Sequence, residues 1–194
     1  MQRAAGQVRI IGGKLKGRRI AVPDAPGLRP TPDRVRETLF NWLAPHIAGA
    51  RVLDLFAGTG ALGLEAASRG AASVKLVEQQ RAAVTALRDT LQRLAVPEVQ
   101  LVAADALGFL ASDSAQYDLI LLDPPFAAGL LAPSLEAIVR HQRLAAGGLC
   151  YIEQPRDAAL PALPEGWRLH RSGQAGEVGY YLLHGPQRDL PGHV

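Results

Sequence analysis

Two short segments of the sequence carry residues that could do chemistry. One is DLFAGTGALG (54–63), in which an acid precedes glycines with the spacing G-x-G-x-x-G, and the other is DPPF (123–126). Prolines lack the backbone N–H that a sheet needs, so DPPF must end a strand. Each segment follows an apolar stretch, and each therefore puts a carboxylate where a predicted strand ends.

The glycine segment is typical of a nucleotide-cofactor loop, because glycines allow a tight turn and a close approach of the ligand to the backbone. Asp54 discriminates between two cofactor classes. A dinucleotide brings an anionic pyrophosphate to the following helix, where an acid would repel it. S-adenosylmethionine brings a cationic ammonium and sulfonium, which a carboxylate suits. Alternatively, Asp54 only accepts a hydrogen bond that orients the loop.

Two further acids stand at predicted strand ends. Glu78 could accept both ribose hydroxyls of either cofactor class. Asp105 could accept the exocyclic amine of an adenine, with the neighbouring backbone N–H at Ala106 reaching a ring nitrogen. Asp105 could equally be the N-cap of the short helix that follows, and the two roles can coexist.

DPPF suits methyl transfer to the exocyclic amine of a nucleobase. The lone pair of that amine is delocalised into the ring, so the nitrogen is a poor nucleophile. Hydrogen bonds to the Asp123 carboxylate and the Pro124 carbonyl would favour a tetrahedral nitrogen whose lone pair points at the methyl group. Phe126 could stack on the base, a contact of roughly 1–3 kcal/mol. The alternative is a rigid strand terminator without chemistry.

The elements that must position these residues alternate between strands and helices from residue 51 onward. We predict strands at 51–56, 73–78, 99–105, 117–123, 148–154, 167–173 and 177–184, and helices at 61–70, 79–95, 106–111 and 132–143. This alternation predicts an α/β doubly wound sheet, in which ligands bind at the carboxyl ends of the strands. The last two strands predict an antiparallel hairpin, since the stretch between them is too short for a helix.

The first 41 residues carry most of the positive charge. They hold nine Lys/Arg and three Asp/Glu, a net charge of +6, whereas the rest of the 194-residue chain has a net charge of −3. Residues 8–23 predict a short strand pair, and a helix follows with Thr31 as N-cap, Pro32 at its first position and Asp33 in its first turn. A basic segment on a slightly acidic body favours a polyanionic partner.

The composition limits the classes of protein. The single cysteine, Cys150, excludes an intramolecular disulfide and a multi-cysteine zinc site. No apolar run reaches the roughly 18 residues of a membrane span, and the N-terminus lacks the hydrophobic region of a signal peptide. We therefore expect a cytoplasmic protein with no metal and no membrane contact. No dimer zipper is evident, and we expect a monomer.

Three segments together resemble one family. LRPTPDRVRETLFNWL, DLFAGTGALGLEAASRGA and LLDPPF are similar to segments of the RsmD family, bacterial guanine-N2 methyltransferases of small-subunit ribosomal RNA. The resemblance runs from about Val8 to His184. It implies a Rossmann-like class I S-adenosylmethionine-dependent methyltransferase fold. The expected sheet has seven mostly parallel strands in the order 3-2-1-4-5-7-6, with strand 7 antiparallel, and a short basic β extension precedes it.

The resemblance also implies domains and site residues. Residues 1–27 would be the basic extension, 28–185 the methyltransferase domain and 186–194 a tail. The catalytic residues would be Asp123, Pro124, Pro125 and Phe126. The cofactor residues would be Asp54, Phe56, Ala57, Gly58, Thr59, Gly60, Glu78, Asp105 and Ala106. Small-subunit ribosomal RNA, free or within an assembling or assembled ribosomal subunit, would meet Lys14, Lys16, Arg18, Arg19, Arg29 and Arg34.

Alternatives stay open on the residues alone. DPPF does not separate guanine N2 from adenine N6, or RNA from DNA, because both amines are conjugated with a ring. An NAD-dependent dehydrogenase shares the glycine spacing, although Asp54 and DPPF argue against it. An RNA-binding module with a vestigial cofactor fold would keep the basic segment and lack methyl transfer.

Overall fold

The structure, a computed structural model, describes residues 6–23 and 31–187. Strands and helices alternate along most of this part of the chain. The strands are β1 (Gln7–Arg9), β2 (Arg19–Ala21), β3 (Arg51–Asp54), β4 (Ser73–Glu78), β5 (Val99–Ala103), β6 (Tyr117–Leu122), β7 (Leu144–Pro155), β8 (Arg168–Ala175) and β9 (Val178–His184). The helices are α1 (Asp33–Leu43), α2 (Ala61–Ser68), α3 (Arg81–Leu94), α4 (Ala106–Ser112) and α5 (Leu131–Arg140).

The seven strands from β3 onward form one sheet in the order β5-β4-β3-β6-β7-β9-β8. The strands from β5 to β7 in this order run parallel, and β9 is antiparallel to both of its neighbours. Counted from β3, this is the predicted order 3-2-1-4-5-7-6. The predicted doubly wound sheet, the class I methyltransferase fold and the terminal hairpin are therefore confirmed.

Helices cover both faces of this sheet. Buried residues of α1, α2 and α3 share one apolar cluster with Val52 and Leu121, whereas α4 and α5 share a second cluster with Leu53 and Ile120. Adjacent strand residues go to opposite clusters because side chains alternate along a strand. Leu119 to Leu122 are at most 3% exposed, as expected of a central parallel strand that is covered on both faces.

The observed boundaries differ from the predicted ones at several element ends. The largest difference is in β7, which begins at Leu144 rather than at residue 148. Leu144 pairs with Tyr117, and the register then shifts before Leu149 pairs with Leu119. Gly147, at φ 72°, lies within this shift. Glycine is unfavourable inside a strand, so the sequence pattern does not indicate that β7 already begins at Leu144.

The N-terminal strands β1 and β2 form the predicted antiparallel pair. Val8, Ile10, Leu15 and Ile20 from this segment are buried in the same cluster as α1 and α2. The buried carboxylate of Glu65 on α2 accepts hydrogen bonds from the backbone N–H groups of residues 11 and 12, each at 2.8 Å. These contacts hold the basic segment against the sheet domain.

Candidate active site

A cavity of about 990 Å³ opens where β3, β4, β5, β6 and β7 end. Nearly all the residues predicted to hold a cofactor or an amine line it together: Asp54, Phe56, Ala57, Gly58, Thr59, Glu78, Asp105, Ala106, Asp123, Pro124, Pro125 and Phe126. Gly60 belongs to the same loop but does not line the cavity. The topology explains this convergence, because parallel strands present their carboxyl ends at one edge of the sheet.

The glycine loop adopts a conformation that other residues rarely take. Gly58 and Gly60 have φ values of 55° and 78°, in the left-handed region. A Cβ atom on Gly60 would lie 2.6 Å from Cδ2 of Leu87. The backbone N–H of Gly60 donates to the carbonyl of Ala57 at 2.6 Å, which closes the turn before α2.

Asp54 orients this loop and retains a free acceptor. Its Oδ2 accepts from the backbone N–H of Gly63 at 3.0 Å, so Asp54 orients the loop, and this role leaves its other oxygen available to a cofactor. Its Oδ1 is buried and accepts no well-formed hydrogen bond from the described residues, although the backbone N–H of Phe56 is near enough to the carboxyl group to oppose the rise in its pKa. Burial, with the charges of Glu78 and Glu153 nearby, raises the pKa of Asp54 to about 7. A buried acceptor without a partner suits the ammonium group of a cationic cofactor.

Glu78 and Asp105 are both held by backbone N–H groups. Glu78 accepts from Gly58 at 2.8 Å through Oε2 and from Gln80 at 2.7 Å through Oε1. A carboxylate oxygen can accept a second hydrogen bond, so these contacts fix the position of Glu78 and leave both of its oxygens able to accept from a ligand. Asp105 accepts from Gly108 at 2.8 Å and is the N-cap of α4, as one of its two predicted roles required.

The DPPF segment follows β6 directly and forms one edge of the cavity. The prolines lead into a 3-10 turn, Phe126–Ala128, in which Ala128 N–H donates to the Pro125 carbonyl at 2.9 Å. The Phe126 side chain is 46% exposed, which is unusual for a large apolar residue in this protein. An exposed aromatic ring beside a recessed carboxylate is the arrangement expected for a stacked base.

Two buried polar residues of the cavity are not among the predicted catalytic and cofactor residues. Glu153, on β7, is 3% exposed, and its Oε1 accepts from the Tyr151 hydroxyl at 2.8 Å. The Thr31 hydroxyl lies 3.1 Å from that same oxygen and 3.2 Å from Oδ2 of Asp123. An acid inside the apolar strand GLCYIEQ (148–154) was the available signal for Glu153.

The prediction of Thr31 as the N-cap of α1 is wrong. The helix begins at Asp33, Pro32 occupies the cap position, and no side chain caps the helix. The physical reason is that the Thr31 hydroxyl is already engaged with two carboxyl groups of the cavity. Asp33 does lie in the first turn, as predicted.

Asp54, Asp123 and Glu153 form an acid cluster. Burial raises the pKa of Glu153, and burial together with the charges of Glu153 and Asp54 raises the pKa of Asp123 well above its usual range. Within residues 6–23 and 31–187, none of the three carboxyl groups forms a salt bridge with a lysine, arginine or histidine. Shifted carboxyl groups in a cleft are a recognised mark of a functional site.

None of the described residues predicted to contact RNA lines the cavity. Lys16, Arg18 and Arg34 are exposed, Arg19 donates to the Gln7 side chain at 3.1 Å, and Lys14 forms an ion pair with Glu98. Arg29 lies outside the described residues. A role in RNA contact stays a prediction for all six.

Two other features are absent from residues 6–23 and 31–187. No group of three or more His, Cys, Asp or Glu side chains there is arranged to hold a metal ion. No described helix has both the length and the apolar character needed to cross a membrane.

The family described as "Conserved hypothetical protein 95" matches residues 8–184. Ribosomal RNA small subunit methyltransferase D of Escherichia coli K12 is 47% identical over 188 residues, which cover 97% of this chain and 93% of that protein. The chain belongs to the RsmD family.

Other relatives agree with membership of the RsmD family. The Haemophilus influenzae protein of the same name is 39% identical and covers 92% of this chain and 94% of its own length. A solved structure, "Putative methyltransferase yhhF from Escherichia coli", is 43% identical with a TM-score of 0.87, and the match covers 94% of this chain and all of that one. The predicted family and methyltransferase fold are confirmed.

Proposed function

We propose that this RsmD-family protein transfers a methyl group from S-adenosylmethionine to the exocyclic N2 amine of one guanine in small-subunit ribosomal RNA. One observation carries the proposal. Asp123, Pro124 and the exposed ring of Phe126 line the same cavity as the glycine loop and Glu78. The segment proposed to hold the amine and the loop proposed to hold the cofactor therefore line one cavity of about 990 Å³, within the range of ligand sites.

The residues present fit the proposed cofactor. Asp54 Oδ1 is a buried acceptor without a described partner, which suits a cationic ammonium group. Glu78 would accept the ribose hydroxyls, and Asp105 with Ala106 would meet the adenine ring. When bound, S-adenosylmethionine supplies an electrophilic methyl group on its sulfonium.

In this proposal, the DPPF segment binds and orients the substrate amine. Asp123 and the Pro124 carbonyl would accept hydrogen bonds from the NH₂ group and turn its lone pair toward the cofactor. The Phe126 ring would stack on the base. Such catalysis depends on orientation rather than on a strong base, because a well-oriented bound pair removes most of the entropic cost of meeting.

The proposed RNA substrate rests on two supports. The relatives in Escherichia coli and Haemophilus influenzae are named as methyltransferases of small-subunit ribosomal RNA. The exposed cations Lys16, Arg18, Arg19 and Arg34 are the proposed phosphate contacts, which give affinity without choosing a sequence. The choice of guanine comes from the family resemblance, since DPPF alone also fits adenine N6.

The decisive test is methyl transfer from labelled cofactor to small-subunit ribosomal RNA, offered naked and within assembled subunits. The labelled nucleoside is then identified by mass spectrometry. We expect N2-methylguanosine at one position. N6-methyladenosine as the product, or ribosomal RNA from a deletion strain that retains every N2-methylguanosine, would overturn the proposal.

The Asp123→Ala variant tests the assigned role of the acid. We expect its methyl-transfer rate to fall at least about a hundredfold, since it loses a charge-assisted hydrogen bond at the reacting nitrogen. Cofactor affinity, measured by calorimetry, should stay within a few-fold of the wild-type value. Glu136→Gln, which changes an exposed acid on α5 that does not line the cavity, is the control and should keep the wild-type rate. A rate near wild type for Asp123→Ala would refute its role as amine acceptor.

A further inference from the structure

The Thr31 hydroxyl bridges two carboxyl groups of the acid cluster. It lies 3.2 Å from Oδ2 of Asp123 and 3.1 Å from Oε1 of Glu153. The bridge depends on tertiary structure, because the three residues come from the segment before α1, the end of β6 and the end of β7. Leu122 and Ile152 are paired in the parallel sheet, so Asp123 and Glu153 follow at adjacent positions.

A hydroxyl group has one hydrogen, so Thr31 can donate to only one of the two carboxyl groups. The other contact becomes a hydrogen bond when that carboxyl group is protonated and donates to the Thr31 oxygen. Both contacts are satisfied together only if the Asp123–Glu153 pair holds one proton. The neighbouring Tyr151 hydroxyl, which donates to Oε1 of Glu153 at 2.8 Å, completes a chain of four side chains.

The bridge leaves the two oxygens of Asp123 in different situations. Oδ2 is engaged by Thr31, whereas Oδ1 has no hydrogen bond from the described residues. Asp123 is partly exposed and lines the cavity. Rotation of its carboxyl group would exchange the two oxygens, and the contact with Thr31 opposes that rotation.

We infer that Thr31 and Glu153 are positioning residues for methyl transfer, holding Oδ2 of Asp123 so that Oδ1 is presented to the substrate amine, with one proton shared across the bridge. This inference deepens the proposed function and rests on it, because the amine is the group that Oδ1 would receive. Neither residue needs to touch the base. Both act through Asp123.

The charged and titratable groups around the bridge determine its response to pH. Glu153 on β7 and Asp54 on β3 both raise the pKa of Asp123, in addition to burial, whereas the hydrogen bond from Thr31 lowers it. The Tyr151 hydroxyl, whose own pKa is raised by burial and by Glu153, faces the bridge from β7. The other ionisable side chains that line the cavity are Glu78, Asp105, Arg156, Asp157 and Glu177.

Two substitutions should therefore move the titration of Asp123 in opposite directions. Glu153→Gln keeps the shape and an acceptor for Tyr151 but removes a nearby negative charge, so the pKa of Asp123 should fall by about one unit or more. Thr31→Val keeps the shape but removes a donor to the carboxylate, so that pKa should rise by about one unit. Thr31→Ser retains the hydroxyl and is the matched control.

The experiment measures this titration twice. Carboxyl-carbon NMR of the cofactor-free protein follows Asp123 directly, and single-turnover methyl transfer to ribosomal RNA follows the acid limb of the rate. We expect both midpoints to move down in Glu153→Gln, up in Thr31→Val and not at all in Thr31→Ser or in Glu136→Gln, which changes an exposed acid on α5 that does not line the cavity. Thr31→Val should also lower the plateau rate about tenfold, with cofactor affinity nearly unchanged.

Several outcomes would overturn the inference. Shifts of the same sign, or no shift by NMR, would show that Thr31 does not link the two carboxyl groups. An unmoved acid limb beside a shifted NMR titration would show that the bridge has no part in methyl transfer. Failure of the proposed function is separable from these, because an adenine N6 product with opposite shifts in the two variants would reject guanine and keep the positioning role.

Discussion

Two sets of carboxyl groups pack near α1, and they differ in whether hydrogen-bond donors and cations of the chain satisfy them. The first is Glu65 on α2, which is fully buried. One of its oxygens accepts from the Ile11 N–H, and the other accepts from the Gly12 N–H and from Nε of Arg69, each at 2.8 Å. The buried guanidinium of Arg36 lies 3.6 Å away. Each oxygen of Glu65 is thus satisfied within the chain.

The second is the acid cluster, where three carboxyl groups meet without a described cation. Asp54 keeps a buried oxygen with no partner, and Asp123 and Glu153 share the hydroxyl of Thr31, with Tyr151 donating to Glu153 as well. An unpaired buried charge is costly unless a proton or a ligand neutralises it. The comparison teaches that burial of acids alone does not mark a functional site. The informative feature is a group of buried carboxyl groups that have no cationic partner among the described residues.

The largest expected effect is the loss of stability when the hydrogen-bonded carboxylate of Glu65 is replaced. Glu65→Gln keeps the side-chain volume but removes the negative charge beside the buried Arg36 guanidinium, which keeps its ion pair with the exposed Asp33. The substitution also removes one acceptor for the backbone N–H groups of residues 11 and 12. We expect the free energy of unfolding to fall by about 3 kcal/mol, the usual cost of breaking a buried pair. Urea unfolding followed by circular dichroism measures it.

The matched control for Glu65 is Glu98, which pairs with the half-exposed Lys14 on the surface. Glu98→Gln should cost no more than about 1 kcal/mol, because solvent screens surface ion pairs. Equal losses in the two variants would contradict the structural role of the Glu65 network.

The next effect is the pH dependence of stability that the acid cluster causes through Asp54. The folded pKa of Asp54, about 7, lies above its ordinary value of 3.8, so the folded state binds this proton more tightly than the unfolded state. The resulting stability is fully present below about pH 4 and is lost as pH rises to about 7. Asn does not titrate. From pH 5 to pH 7, Asp54→Asn should therefore gain about 2 kcal/mol in free energy of unfolding relative to the wild type.

Urea unfolding of the cofactor-free protein at pH 5, 6, 7 and 8 measures this gain. The slope with pH carries the test, because a constant offset between the variants reflects only the fit of the amide. Asp157→Asn should follow the wild-type pH dependence, since Asp157 is solvated. If Asp54→Asn also runs parallel to the wild type, Asp54 is not the acid that destabilises the cavity at neutral pH.

The contrast between the two groups also explains what the sequence could predict. Asp54, Glu78, Asp105 and Asp123 stand at strand ends, and the alternation of strands and helices predicts both the sheet and the edge where these ends meet. Local pattern is sufficient for such residues. The glycine spacing adds the turn, because only a backbone with positive φ fits at Gly58 and Gly60.

Residues that act across the sheet were beyond such reasoning. Glu153 meets Asp123 because β7 pairs with β6 in one register, and a shift of one residue would put its side chain on the other face. The local sequence Thr-Pro-Asp permits an N-cap at Thr31 and does not indicate that its hydroxyl contacts Asp123 and Glu153. The local sequence likewise does not indicate that Arg36 is fully buried beside Glu65.

The smallest expected effect is the release of a proton from Asp54 when the cofactor binds. If the ammonium group of the cofactor meets Oδ1 of Asp54, it favours the ionised carboxylate and lowers the pKa of Asp54. A carboxyl group with a pKa of about 7 is half protonated at pH 7, so binding should release about half a proton. Calorimetric titration in buffers of different ionisation enthalpy measures this number, and Asp54→Asn should reduce it toward zero. A binding enthalpy that is independent of the buffer would mean that the cofactor is held without neutralising Asp54, and its positive charge would then have to be balanced by the Asp123–Glu153 pair.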